Sequence, residues 1–269
     1  MEALTRRRFL ALAAAGTAAG LGGALDRLAA AAPAPAIDFT LAEFLVDACE
    51  LTYTMYRRGG AFDPPPGYAL VHQFRATAKT APEWFGFVIR SGAQAVVAFR
   101  GSVTRPDWLA DFDVALKPFP LVAGAGRAHE GFTLIYRSCR DDLRAVLRAL
   151  PAGTRLVITG HSLGAALATI CALDVAANTA FSAPVMYNFG SPRVGDQAFV
   201  DAYARRVPES WRIYNTADVV TAAPPQTLGY RHVPHGYALT AQTGRAFGQG
   251  DRPGNHSLVT YLHGLRMRR

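Results

Sequence analysis

The sequence predicts an α/β fold, and three observations lead to that prediction. Short apolar runs rich in Val, Ile and Leu alternate with longer segments of helical periodicity. Such runs are typical of strands buried on both faces, as in a parallel sheet covered by helices. Half of the 269 residues are hydrophobic and 10% are aromatic, which suffices for a large core and excludes a disordered chain. We therefore expect one α/β domain over residues 37–269, with a mainly parallel central sheet.

The elements follow from the spacing of apolar residues. Leu41, Leu45, Ala48, Leu51 and Met55 recur at helical intervals, and a similar stripe begins at Phe132. Two β-rich runs separated by Ser-Gly-Ala indicate a hairpin. In chain order the predicted elements are helix 40–57, strands 84–90 and 94–100, helix 132–150, strand 155–159, helix 163–177, strand 185–189, helix 196–205, strand 211–216 and helix 258–265.

The first 36 residues differ from the rest. Thr5-Arg6-Arg7-Arg8-Phe9-Leu10 leads into a 17-residue run of mostly Ala, Leu and Gly over residues 9–25, and Pro33 and Pro35 then disfavour a helix. A basic start, an apolar middle and small residues near a cut site are typical of an export signal. The arginine pair followed by Phe-Leu resembles the twin-arginine class. We predict a signal peptide over residues 1–36, the export machinery as a partner, and an exported protein, periplasmic or extracellular.

The alternative for this segment is an uncleaved membrane anchor. A spanning helix needs about 20 strongly apolar residues. The run over residues 9–25 is shorter and consists mainly of weakly apolar Ala and Gly. We therefore favour the cleaved signal.

The charge pattern and the cysteine content argue against a nucleic-acid-binding protein and against a metalloprotein. The 28 Lys and Arg against 20 Asp and Glu give a formal charge of +8, which permits attraction to nucleic acid or to anionic lipid. The arginines are dispersed and no nucleic-acid-reading motif occurs, so a nucleic-acid partner is not expected. The three cysteines form no metal-binding pattern. We expect neither a metal ion nor an organic cofactor.

A nucleophile motif follows the predicted strand 155–159. Gly160-His161-Ser162-Leu163-Gly164 is a G-x-S-x-G sequence placed between a strand and a helix, as that motif requires. A sharp turn there strains the serine backbone, and side chains at the flanking glycines would clash. The alternative is a chance match in a structural turn. We predict that Ser162 is a nucleophile at the carboxyl edge of the sheet.

A serine needs a histidine to take its proton and an acid to orient that histidine. In hydrolases with this motif the acid and then the histidine follow the serine along the chain. Asp218 lies just after the predicted strand 211–216, at the same sheet edge, and is the best acid. His256 precedes the last helix and suits a base on a loop, with His235 as its strongest rival. His161 is expected to pack or to form hydrogen bonds under the turn.

Attack by a serine creates a negatively charged oxygen, the oxyanion, which backbone N–H groups stabilise by hydrogen bonds. The N–H of Leu163 at the start of the helix is the first candidate. Ser102 follows the strand 94–100 at the same edge and is the second, although an ordinary turn explains its position equally well.

From about residue 85 to 265 the chain resembles the class 3 lipases, the fungal-lipase-like branch of the α/β hydrolases. Six blocks occur in family order: 99–102 (FRGS), 129–132 (HEGF), 159–168 (TGHSLGAALA), 189–196 (FGSPRVGD), 215–218 with Pro224-Pro225, and 255–258 (NHSL). The resemblance implies an α/β-hydrolase fold with Ser162 as nucleophile, Asp218 as acid, His256 as base, and Ser102 and Leu163 in the oxyanion hole.

The resemblance also implies a short helical lid after Ser102. The segment 103–114 contains Trp108, Leu109 and Phe112, so an opening lid would present an apolar face, although a core position for Trp108 is the alternative. The implied protein is a serine ester hydrolase that cleaves acyl esters of glycerolipids at an interface, with contact to a membrane or lipid surface. A phospholipase A1 and a feruloyl-type esterase are rivals within the family. A non-catalytic lipid- or surface-binding module on a hydrolase fold is a rival of another class.

Overall fold

The structure, a computed structural model, describes residues 36–103, 114–240 and 252–267. The strands within these residues are β1 (Ala69–Thr77), β2 (Pro82–Ser91), β3 (Gln94–Phe99), β4 (Leu116–Pro118), β5 (Arg127–His129), β6 (Arg155–His161), β7 (Val185–Phe189), β8 (Ser210–Asn215) and β9 (Gly236–Leu239). The main helices are α1 (Phe39–Arg57), α2 (Glu130–Arg148), α3 (Leu163–Asn178), α4 (Gln197–Arg206) and α5 (Leu258–Arg266). The predicted signal segment lies outside the described residues, apart from Ala36.

A seven-stranded sheet with the order β1-β2-β3-β6-β7-β8-β9 lies at the centre of this part of the chain. The first three strands pair antiparallel and form the predicted hairpin between β2 and β3. From β3 to β9 every neighbouring pair is parallel. The prediction of a mainly parallel sheet is therefore confirmed, and the carboxyl ends of β3, β6, β7 and β8 meet at one edge.

Three sheet features are absent from the sequence prediction. Strand β1 is the outermost strand on one side of the sheet and is largely exposed along its first half, so it lacks the apolar run of an inner strand. Strand β9 has only four residues. The β4–β5 pair forms a separate small sheet of three-residue strands. Short or exposed strands carry little hydrophobic periodicity, which is why pattern analysis misses them.

The two faces of the sheet bury two separate sets of side chains. Because alternate residues of a strand point to opposite faces, Val96 and Ala98 pack with α1 and α5, whereas Val97 and Phe99 pack with α2, α3 and α4. Helix α3 is buried along nearly its whole length, as its apolar sequence predicts. Among the described residues, no helix is both long and apolar enough to cross a bilayer.

A buried carboxylate joins α2 to α3. Asp174 on α3 is fully buried and accepts two hydrogen bonds of 2.8 Å from the guanidinium of Arg140. The hydroxyl of Tyr136 and the amide of Asn178 donate to the same carboxylate at 2.8 and 2.7 Å. All of these partners serve helix packing, so Asp174 is a structural acid.

Replacing this carboxylate should destabilise the protein strongly. We expect Asp174→Ala to lower the free energy of unfolding by about 3–5 kcal/mol, because it leaves the partly buried Arg140 without its partner. Urea unfolding followed by circular dichroism measures the change. The control is Asp201→Ala on α4, whose exposed carboxylate accepts a bond from Gln197 and whose loss should cost less than about 0.5 kcal/mol. Equal stabilities for the two variants would contradict this account.

Candidate active site

The turn between β6 and α3 holds Ser162 in a strained backbone conformation. Its φ is 61° and its ψ is −126°, in a region that non-glycine residues rarely adopt. The N–H of Ser162 donates to the carbonyl of Phe189 at 3.0 Å, which ties the turn to the end of β7. Strain of this kind costs about 1–3 kcal/mol and persists only where the surroundings impose it.

The glycines on either side of Ser162 allow the backbone to pass close to itself. A Cβ on Gly160 would overlap the backbone of Gly164. A Cβ on Gly164 would overlap the carbonyl oxygens of Phe99 and Arg100 at the end of β3. The expected reason for the two glycines is therefore confirmed, and α3 begins directly against the carboxyl ends of β3 and β6.

A histidine–aspartate pair lies at the same edge of the sheet. His256 Nδ1 is 2.7 Å from Asp218 Oδ2, and the Asp218 side chain is completely buried. Since the carboxylate accepts, Nδ1 carries the proton and Nε2 is left as the basic nitrogen. His256 Nε2 is buried and has no hydrogen-bond partner among the described residues. An unpartnered basic nitrogen is what a general base presents to a nucleophile.

Two further donors hold the Asp218 carboxylate. Tyr261 donates its hydroxyl to Oδ2 at 2.6 Å, and the N–H of Val220 donates to Oδ1 at 2.9 Å. Burial, together with the negative charge of Asp218, raises the pKa of Tyr261 well above its usual value, so the phenol keeps its proton and remains a donor. Sequence reasoning missed Tyr261, since a tyrosine in the last helix gives no signal of this contact.

Gly190 makes room for the pair at the end of β7. Its φ is +60°, and a Cβ there would lie 2.9 Å from His256 Cε1 and 3.0 Å from Asp218 Oδ2. The residue belongs to one of the sequence blocks, but sequence analysis assigned it no role. The close approach accounts for the glycine.

His235, the rival of His256, lies elsewhere, and two further histidines have other partners. His235 precedes β9 at the amino end of that strand, opposite the edge that carries Ser162, and its Nδ1 lies 3.2 Å from the carbonyl of Ser210. His232 is bonded to the carbonyl of Thr221, and burial lowers its pKa to about 3. His161 forms hydrogen bonds under the turn, as expected.

The expected oxyanion residues lie beside the turn. Leu163 is the first residue of α3. Ser102 follows Gly101, and a Cβ on Gly101 would lie 3.0 Å from Ser162 Cβ. The expected lid residues Trp108, Leu109 and Phe112 lie outside the described residues, so the lid stays a prediction.

In the part of the chain that the structure describes, no group of three or more His, Cys, Asp or Glu is arranged to hold a metal ion. A cavity of about 760 Å³ is lined by the ends of α2 and α3 and the start of β6. It therefore lies at the amino ends of the strands, away from Ser162.

Known proteins resemble this chain in sequence and in fold. Residues 96–228 match the sequence profile of the family described as lipase (class 3). A secreted mono- and diacylglycerol lipase of Fusarium solani is 33% identical over 150 residues, which cover 54% of this chain and 44% of that protein. A phospholipase A1 of Oryza sativa subsp. japonica is 31% identical over 257 residues, or 80% of this chain and 62% of that one.

The chain thus spans about half the length of the curated relatives it matches. Lipase II from Rhizopus niveus has a similar structure, with a TM-score of 0.66 and 22% identity over 76% of this chain and 80% of that one. At this identity the likeness concerns the fold. Residues 96–228 thus match the class 3 lipase family, and the fold of the chain is that of the α/β hydrolases.

Proposed function

We propose that this protein is a serine ester hydrolase of the lipase type. The observation that carries the proposal is the His256–Asp218 pair. Its buried Nε2 has no hydrogen-bond partner in the described part of the chain and lies at the same sheet edge as the strained Ser162. The family match over residues 96–228 supports it independently. Ser162 is the nucleophile, His256 the base and Asp218 the acid.

The proposed reaction passes through an acyl-enzyme. Ser162 Oγ attacks the ester carbonyl while His256 Nε2 takes its proton, and Asp218 stabilises the imidazolium that forms. The N–H groups of Leu163 and Ser102 donate to the oxyanion. His256 returns the proton to the leaving alcohol. It then takes a proton from a water molecule, whose oxygen attacks the acyl carbon. The bond between that carbon and Ser162 Oγ breaks, the carboxylic acid leaves, and His256 returns the proton to Ser162 Oγ.

The proposed substrates are acyl esters of glycerolipids. The Fusarium solani relative bears the name of a mono- and diacylglycerol lipase. The segment with Trp108, Leu109 and Phe112 would present an apolar lid at a lipid surface, and the basic charge of the chain favours anionic surfaces. No metal or organic cofactor enters the proposal.

A phospholipase A1 is the second candidate. The rice relative that matches the longest stretch reported above, 257 residues, bears that name. Both activities cleave a glycerol acyl ester by the same steps, so the described residues around Ser162 fit both. A feruloyl-type esterase would require a polar lid, which the sequence of residues 103–114 does not favour.

We further propose that residues 1–36 form a twin-arginine export signal and that residues 37–269 form the catalytic domain. The basic start, the Ala- and Gly-rich middle and the prolines support this assignment. The name of the Fusarium solani relative describes a secreted protein. Periplasmic and extracellular locations are both compatible with such a signal.

The central test is ester hydrolysis by the purified protein. We expect release of fatty acid from a triacylglycerol emulsion, and a fall of at least about 10³-fold in kcat for Ser162→Ala. Ser182→Ala, in an exposed loop, is the control and should keep wild-type activity.

Cleavage of phosphatidylcholine in preference to triacylglycerol would indicate the phospholipase, and cleavage of hydroxycinnamate esters alone would indicate the feruloyl esterase. Full activity of Ser162→Ala would contradict the assignment, and lipid binding without hydrolysis would indicate a binding module.

The glycine at the end of β7 provides a second test. In Gly190→Ala the new methyl group would press on His256 and Asp218 and shift them by a few tenths of an ångström. We expect kcat to fall about 10-fold, because a misplacement of about 1 Å costs about 100-fold. Gly229→Ala is the matched control, since its φ is also positive, at +88°, and its nearest neighbour is Leu116 Cδ1 at 3.4 Å. Kinetics on a soluble short-chain ester measure both variants. A similar loss in Gly229→Ala would mean that backbone strain, and not displacement of the pair, lowers activity.

Export is tested by a conservative double substitution. We expect Arg6→Lys with Arg7→Lys to retain the full-length protein in the cytoplasm, because the twin-arginine pathway reads the arginine pair as an address. Cell fractionation followed by an esterase assay and N-terminal sequencing measures the location and the cut. Arg27→Lys keeps the pair and should export normally. Equal export of all three proteins would overturn the twin-arginine assignment.

A further inference from the structure

The ring of His161 uses both of its nitrogens. Nδ1 lies 2.8 Å from the hydroxyl oxygen of Tyr53 on α1, and Nε2 lies 2.8 Å from the backbone carbonyl of His256. These partners are 108 and 95 residues away along the chain. His161 directly precedes Ser162, so the ring joins the turn of the nucleophile to the loop of the base.

The chemistry of the partners sets the direction of each bond. A carbonyl oxygen only accepts, so His161 Nε2 carries the proton and donates to His256. Nδ1 is then the acceptor, and Tyr53 donates its O–H to it. Burial, and after it the charge of His256, lowers the pKa of His161 well below its usual value, so the ring stays neutral with one donor and one acceptor.

Tyr53 extends these contacts to a third loop. Its hydroxyl group packs against the backbone of Gly101, the residue before Ser102. A Cβ on Gly101 would overlap the same hydroxyl group. Tyr53 therefore packs against Gly101 and donates a hydrogen bond to His161, and His161 donates a hydrogen bond to His256.

We propose that Tyr53 and His161 are positioning residues, which hold the loops of Ser102, Ser162 and His256 in fixed positions relative to one another. The inference rests on the proposed function of these three residues. Each loop leaves a different part of the fold, and reaction between their groups requires alignment to within about 1 Å. Two hydrogen bonds and one close packing contact, made by the half-buried Tyr53 and the buried His161, supply that alignment from α1, a helix that contributes no reacting group.

His161 is suited to positioning and unsuited to proton transfer. Its ring centroid is 4.5 Å from that of His256, and both of its nitrogens are occupied. A second positive charge at this distance would oppose the charge that His256 gains when it takes the proton of Ser162. A neutral ring makes the same two contacts without that repulsion.

The test combines variants that remove defined hydrogen bonds between Tyr53, His161 and His256. Tyr53→Phe removes the hydroxyl. His161→Gln places an amide N–H near the position of Nε2, so it retains the donor to His256 and loses the acceptor for Tyr53, whereas His161→Leu loses both. Tyr136→Phe is the control, because it also removes a tyrosine hydroxyl that donates a hydrogen bond, here to Asp174 on the opposite face of the sheet.

On a soluble short-chain ester we expect Tyr53→Phe and His161→Gln each to lower kcat about 3- to 10-fold with KM unchanged, the effect of one hydrogen bond. The double variant should be no slower than the slower single variant, since both changes break the same bond. His161→Leu should be slower than His161→Gln. Multiplicative losses in the double variant, wild-type kcat in Tyr53→Phe, or an equal loss in Tyr136→Phe would overturn the proposal.

Amide hydrogen exchange gives a readout that needs no activity. Tyr53→Phe should speed exchange at Gly101 and in residues 255–257 together, although these segments are far apart in the sequence, and Tyr136→Phe should affect neither. Unchanged exchange at both segments in Tyr53→Phe would overturn the positioning role even if the wild-type protein cleaves no ester. Inactivity of the wild-type protein with the expected exchange would contradict the proposed function alone.

Discussion

The structure around Ser162 depends on the close passage of backbone at the start of α3. The strained φ of Ser162 is possible only because Gly160 and Gly164 carry no side chain where β6, α3 and the end of β3 meet. That contact places the amino end of a buried helix directly behind the serine, where its free N–H groups and dipole favour negative charge. The burial of α3 on both sides keeps the turn from relaxing.

The parallel arrangement of strands then brings the remaining groups to the same place. Gly101 follows β3, Ser162 follows β6, Gly190 follows β7 and Asp218 follows β8 after two residues. Parallel strands present their carboxyl ends at one edge, so loops that are distant in sequence become neighbours. His256 lies in the segment just before α5, and the hydrogen bond between its Nδ1 and Asp218 fixes the orientation of its ring.

Sequence analysis succeeded where the pattern was local. The run before Gly160 and the apolar residues after Ser162 predict a strand and a buried helix within one or two residues of their observed bounds, because such patterns reflect burial on all sides. It failed for β1, which is an edge strand, and for β9, which is too short to show a period. Gly190 belonged to a quoted block, yet its role depended on contacts with side chains 28 and 66 residues later in the chain.

The sequence by itself determined the chemistry of the candidate site: a serine in a strand–turn–helix motif, and an acid and a histidine after it in the order that such hydrolases use. Residue spacing left His256 and His235 as alternatives and the family resemblance favoured His256; the tertiary structure adds that His256 contacts Asp218, whereas His235 lies at the opposite ends of the strands. Only the tertiary structure decided the contacts of Tyr261, Tyr53 and His161, whose hydrogen bonds join residues 43 to 108 positions apart. Hydrogen bonds over such separations leave no periodic pattern, since they depend on how the elements pack and not on the order of residues along them.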